Sequence, residues 1–315
     1  MHLLLFQACL ALAQACAPAP SASAPPLPYV WEERAHAAPY DASYNYQMFA
    51  LQDRFWVFHP DGVFMSADSG RTWTPSGLED AVDNQAFLDY VVFKDAVYAL
   101  GTFRGNIERF RWTSRIARTT DLRTWETVAE SSGLPRRYFY HPVVFQGKIW
   151  IFGGEDEQRQ YDDAWYSEDA VHWTKAASGL PFGARASQHF VEFNGRLYML
   201  GHDVWSSADG LQWVQETPLI ADANLFGYAA LVFDGKIWLV GCNRANRFTS
   251  ETFWSADGRS WHTQAAPWSP RGGVAAAALG GYLLMTGGKF GGPEPDGRST
   301  RFVYSNDVWA MRKAE

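Results

Sequence analysis

A short turn pattern recurs along this chain and constrains its fold more than any other feature. It reads Ser66-Ala67-Asp68-Ser69-Gly70-Arg71-Thr72-Trp73, then Thr119-Thr120-Asp121-Leu122-Arg123-Thr124-Trp125 and Ser167-Glu168-Asp169-Ala170-Val171-His172-Trp173. Two further copies are Ser207-Ala208-Asp209-Gly210-Leu211-Gln212-Trp213 and Ser255-Ala256-Asp257-Gly258-Arg259-Ser260-Trp261, so that successive Asp residues lie 53, 48, 40 and 48 positions apart. Self-similarity at this period marks an array of small supersecondary units, each unable to bury its apolar face alone. Within a copy, the Asp carboxylate is expected to accept backbone N–H groups of a tight turn, Gly to supply a positive φ, and Trp to open the next strand.

A second pattern interleaves with the first. Phe145-Gln146-Gly147-Lys148-Ile149-Trp150, Phe193-Asn194-Gly195-Arg196-Leu197-Tyr198 and Phe233-Asp234-Gly235-Lys236-Ile237-Trp238 each read as strand, two-residue turn, strand. Looser copies begin at Leu51, Phe93 and Leu279, which makes six hairpins. With 15 Trp against 6 Met, the aromatic content also suits short strands better than a helical bundle. The prediction is all-β: a six-bladed β-propeller of four-stranded antiparallel blades.

The Asp turns resemble the Asp box, with Gly kept in three copies and replaced by Leu122 and Ala170 in the others. Glycine pairs at Gly153-Gly154 and Gly287-Gly288, with Asp163-Ala164-Trp165 and Asp307-Val308-Trp309 on third strands, resemble the kelch repeat. Together they are similar to exported bacterial members of the galactose oxidase/kelch propeller superfamily over residues 29–315. The sixth repeat stops after its third strand, and Tyr29-Val30-Trp31-Glu32-Glu33-Arg34 looks like its missing fourth. The N-terminal strand is therefore expected to pair with the last blade and close the ring, which removes an exposed sheet edge.

Residues 1–28 combine an apolar stretch, Leu3 to Ala13, with a Pro/Ala/Ser-rich tract, and read as an export signal plus linker. Ala13-Gln14-Ala15-Cys16 loosely resembles a lipobox, which implies a membrane tether through Cys16; the other reading is free secretion to the periplasm or the exterior. A formal net charge of −7 without a run of Lys or Arg argues against a nucleic-acid partner. The cysteines, Cys9, Cys16 and Cys242, do not make a disulfide framework. No cofactor or metal is expected, and the domain is expected to be a monomer.

In blades of this kind the hairpin and Asp turns share one face, and the other face carries the longer loops, here 102–118, 155–163, 243–250 and 289–304. Aligned on their hairpins, the inner strands place Ser43, Gln85, Arg137, Arg185, Leu225 and Arg271 at one level. Gln47, Asp89, His141, His189, Ala229 and Ala275 follow four residues later. Residues four apart in a strand share a face, so each Arg is expected to point with its partner toward the axis. Arg137, Arg185 and Arg271 with Asp89, His141, His189, Tyr140 and Tyr228 then make the candidate ligand site, suited to an anionic or polyhydroxylated molecule. The competing reading is that such arginines bond loop carbonyls around the channel.

The resemblance implies a glycan or protein ligand at the loop-rich face of a non-catalytic module. The alternative it implies is a carbohydrate-active enzyme such as a sialic acid mutarotase, with His141, His189, Asp89, Glu155 or Glu157 as acid and base. Sialidase chemistry lacks its arginine-bearing segment before the first Asp turn. Copper-radical chemistry would need a cysteine at the site, and Cys242 reads as a buried apolar thiol.

Overall fold

The computed structural model describes residues 29–44, 47–59, 62–77, 89–100, 114–221, 224–293 and 300–314. These residues form six antiparallel sheets and no helix. Blade I comprises Gln47–Leu51, Arg54–His59, Gly62–Ser66 and Thr74–Pro75; blade II comprises Asp89–Phe93, Ala96–Leu100, Ile116–Thr119 and Glu126–Ala129. Blade III runs through Val143–Phe145, Lys148–Phe152, Ala164–Ser167 and Thr174–Ala177, and blade IV through His189–Phe193, Arg196–Leu200, Val204–Ser207 and Trp213–Thr217. Blade V holds Ala229–Phe233, Lys236–Arg244, Arg247–Ser255 and His262–Ala265, with the short strand Leu225–Phe226 paired to its second strand. Blade VI holds Gly272–Leu279, Tyr282–Pro293 and Val308–Lys313, and Thr300–Tyr304 pairs with the far end of its second strand.

Each blade's first strand packs beside the first strand of the next, and blade VI returns to blade I, so the ring closes as a six-bladed propeller. Tyr29–Ala35 supplies the fourth strand of blade VI, antiparallel to Val308–Lys313, with Trp31 opposite Met311 and a register shift before Ala35. The expected closure is therefore present. The segment assigned to export and linker, Cys16 included, lies outside the described residues.

All six hairpins turn through two consecutive residues of positive φ, from Gln52-Asp53 (52° and 54°) to Gly280-Gly281 (57° and 82°). That is the primed turn whose twist matches the strands it joins. In the Asp turns, one oxygen of Asp68, Asp121, Asp169, Asp209 or Asp257 accepts two backbone N–H groups at 2.8–3.0 Å. These bonds hold the carboxyls below the usual range despite the opposing cost of partial burial. Trp73, Trp173 and Trp213 donate their indole N–H to the carbonyl at the turn's left-handed residue. Trp125 packs with Phe58 and Tyr90, whereas the buried indole nitrogen of Trp261 finds no acceptor among the described residues.

Apolar residues of facing blades make the core. Phe55, Val57 and Trp73 of blade I pack against Ala275, Leu284 and Val308 of blade VI, and Val91, Leu100 and Ile116 of blade II against Ile149 and Ile151 of blade III.

Two segments expected as loops are not loops. Residues 243–250 belong to a hairpin extending blade V, turned at Ala245-Asn246 (φ 49° and 64°), and 289–293 with 300–304 form a comparable extension of blade VI. The blade V turn, Ala245-Asn246, carries no glycine, so the usual signal for a primed turn was absent there. Of the segment 102–118, residues 102–113 lie outside the described residues.

Candidate functional site

A cavity of about 980 Å³ opens at the end of the axis opposite the hairpin turns. The starts of the inner strands wall it, with Gln47, Asp89, His141 and His189 from blades I to IV, then Tyr228 and Val274 beside blades V and VI. The two extended hairpins complete it, through Asn243, Arg247 and Phe248 on one and Lys289, Phe290 and, from the paired strand, Phe302 on the other. The level carrying Gln47, Asp89, His141 and His189, aligned from sequence alone, is thus brought together around one space.

The arginine level is not. Arg137 is fully buried and forks onto Asp163 (2.7 and 3.3 Å) while also donating to the Gly153 carbonyl. Arg271 forks onto Asp307, Arg185 reaches Asp203 at 2.7 Å, and each of these aspartates accepts the indole N–H of the Trp two residues later. None of the three arginines lines the cavity. Tyr140 is also withdrawn, its hydroxyl donating to the Leu100 carbonyl of blade II, while Tyr228 donates likewise to Gly201 and still borders the cavity. Gln85 lies outside the described residues.

The reason is local. Two residues after the arginine position, the chain takes a left-handed conformation in four blades: Phe139 (φ 54°), Ser187 (66°), Gly227 (68°) and Gly273 (72°). The segment from Arg to His is therefore no strand, and the alternation of faces that would aim both side chains at the axis does not hold. The arginines turn outward to aspartates at the starts of the third strands, while His141 and His189, four residues after Arg137 and Arg185, turn inward. Glycine at two of the four positions was the available signal.

Asp89 is 6% exposed, and no hydrogen bond or ion pair reaches its carboxyl from the described residues; burial holds it well above the usual carboxylate range. The Oδ1 of Asn243, a residue 7% exposed, is also without a partner among the described residues. His141 and His189 stack with ring centroids 4.1 Å apart. Burial lowers His141 to about 4 and also holds His189 well below the ordinary imidazole range, where the charge of His141 adds to the effect and a bond with the Tyr228 backbone opposes it. Both imidazoles are therefore neutral at physiological pH. Cys242 is fully buried, its thiol pushed up to about 12 chiefly by burial, so it supplies no thiolate. Among the described residues no cluster of three or more His, Cys, Asp or Glu is placed to hold a metal ion.

Sequence reasoning did not single out Tyr44, Asn243, Arg247, Lys289 or Phe302, although all but Tyr44 lie on the segments 243–250 and 289–304 that it placed on this face. Tyr44 lies on the bare backbone of Gly273 and Phe248 on that of Gly272, where an added Cβ would sit 3.1 Å from either ring's side chain. The Gly272-Gly273 pair thus lets two aromatic walls close on the main chain. Phe226 and Phe302 are exposed at the mouth.

Residues 119–276, half of the chain, match the family model of the DUF6242 beta propeller domain. No curated protein matches the chain.

Proposed function

The chain belongs to the DUF6242 beta propeller family, and from that premise and the lining of the cavity we propose that it is an exported, non-catalytic binding module that takes a glycan at the mouth of the propeller. One observation carries the reading: aromatic faces from Tyr44, Phe139, Phe226, Phe248, Phe290 and Phe302 surround the buried Asp89 and the buried Oδ1 of Asn243, which has no partner among the described residues. Aromatic faces pack on the C–H faces of sugar rings, and an orphaned buried acceptor costs about 1–3 kcal/mol until a donor such as a hydroxyl reaches it. Few convergent polar groups within an apolar wall are the usual make-up of a small-molecule site. The kelch and Asp-box likeness, the leader at 1–28 and a tether through Cys16 belong to the same reading, which has the propeller held outside the cytoplasm.

Thermal shift of the purified protein against a panel of sugars tests this, with Phe248→Ala and Asp89→Asn alongside. Stabilisation by a sugar that both variants weaken is expected. No shift with any sugar would overturn the glycan reading and favour a protein partner docked on the exposed Phe226, Phe302, Val303 and Tyr304.

A second reading is an enzyme interconverting sugar anomers at this mouth. It is favoured by Asp89, whose protonated form burial stabilises, and the neutral His141 lining one cavity, since an acid and a base of that kind are what ring opening requires. Anomer exchange followed by NMR, faster with the protein and lost in His141→Phe, would establish it in place of the binding module.

A further inference from the structure

The charges facing the cavity do not balance. The chain carries more acidic than basic residues, and four of its buried or half-buried arginines are met by carboxylates: Arg137 by Asp163, Arg185 by Asp203, Arg271 by Asp307 and Arg244 by Glu251. Around the cavity the pattern reverses. Lys289 and Arg247 both line it, and neither has a carboxylate within ion-pair distance among the described residues. The carboxyl that does line it, Asp89, is buried where its charged form is disfavoured.

Lys289 is held in place without being neutralised. Its ammonium sits 4.4 Å from the centroid of Tyr44 and 4.8 Å from that of Phe302, and Phe302 meets Phe248, the neighbour of Arg247, edge to face. Cation–π contacts fix an ammonium's position while leaving its charge and N–H donors open to an anion. Arg247 is exposed and Lys289 half-buried, so both are open to the mouth, whereas Asp89 and Asn243 are buried in the wall. The two ends ask for different chemistry: an anion above, hydrogen-bond donors below, since Asn243 Oδ1 would repel a second anion.

Resting on the glycan reading above, we infer that the ligand is an acidic saccharide whose carboxylate is met by Lys289 and Arg247 at the mouth while its hydroxyls reach Asp89 and Asn243. A simple inorganic anion satisfies the upper end alone, and a neutral sugar the lower end alone.

Calorimetric titration of the purified protein tests this. The probes are glucuronic, galacturonic and N-acetylneuraminic acids, the neutral sugars glucose, galactose and N-acetylmannosamine, and lactate as a hydroxy acid without a ring. The expected result is an acid that binds at least about tenfold tighter than the neutral sugars, with the difference abolished in Lys289→Met, reduced in the exposed Arg247→Gln and kept in Lys289→Arg, as a lost charge-assisted bond implies. Added salt should weaken the acid and leave a neutral sugar unaffected. Neutral sugars binding as tightly as the acids would overturn the acidic-ligand inference and leave the glycan site standing. Lactate binding as tightly as the best acid would uphold the anion contact and sink the saccharide. No binding by any probe would remove both.

Discussion

His141 and His189, from the starts of two adjacent blades, stack with their rings 17° from parallel and 4.1 Å apart. The stack is stable while both rings are neutral. Burial disfavours the charged form of each ring, and for His189 the charge of His141 adds to it, which is why both titrate below the ordinary 6.5. A depressed folded-state value means that the unfolded chain binds protons first. The stabilisation is therefore complete above about pH 6.5 and is lost as pH falls toward about 4. For His141 the full loss is roughly 3 kcal/mol. Melting temperature followed across that window should fall for the wild type and fall less in His141→Phe, where His189 alone of the pair still titrates. A parallel fall in the variant would refute the assignment.

Asp89 should give the opposite sign. Its folded-state value is raised above the ordinary 3.8, so its contribution is fully present below that value and lost as pH rises. Asp89→Asn removes the titration while keeping the shape. The variant is expected to match the wild type near about pH 4 and to exceed it in stability near about pH 8. Paired melts at the two pH values measure this, and a variant that loses stability at the higher one would show that the carboxylate is charged and paired.

The fold was legible because each blade repeats the same two turns, and turns have strong local chemistry: Asn194-Gly195 and Asp234-Gly235 reverse a chain wherever they occur. The site was half legible. The level of Asp89, His141 and His189 could be aligned from the hairpins, but the direction of Arg137 and Arg185 depended on the left-handed residues Phe139 and Ser187, whose side chains give no hint of positive φ. Lys289 and Arg247 were out of reach for another reason. Their hairpins extend blades V and VI, and only the closed ring brings them to the cavity that Asp89 lines.

The Arg–Asp–Trp clusters should behave as structure. Arg137 is fully buried and its partner Asp163 nearly so. Removing one member leaves the other charge uncompensated, so Arg137→Ala is expected to cost about 3–5 kcal/mol in urea unfolding. Arg185 is a fifth exposed and should cost less on truncation. Folded Arg185→Ala should keep whatever affinity the cavity has, because the guanidinium faces Asp203 and not the cavity. A selective loss of ligand with unchanged stability would return the arginine to the site.

The Asp turns offer a paired test of backbone conformation. Gly258 and Ala170 occupy the same turn position with φ of 75° and 67°. A Cβ on Gly258 would stand 2.2 Å from Cε1 of Tyr198, so Gly258→Ala combines left-handed strain with overpacking and should cost about 2–4 kcal/mol. Ala170→Gly relieves the strain and gives up one buried methyl, two effects of about 1 kcal/mol each, and should leave stability nearly unchanged. Chemical unfolding of both variants decides it. Equal losses would mean that the turn does not depend on the left-handed residue.

The closing strand is the last link and the most exposed to test. Tyr29–Ala35 pairs along its length with Val308–Lys313; Tyr29 packs edge-on against Trp238 of blade V, and Trp31 against Trp268 with centroids 4.3 Å apart. Without it, Val308–Lys313 becomes an open edge that another chain can pair with. A chain beginning after Ala35 should therefore melt at lower temperature and self-associate as its concentration rises, in light scattering or sedimentation. A synthetic peptide of residues 29–35 should reverse both effects, because it restores the missing ladder in trans. Replacing Trp31 by Ala in that peptide should weaken the rescue, since the ladder would remain and the contact with Trp268 would not. A truncated chain that stayed monomeric with unchanged melting would show that the ring holds without its fastener.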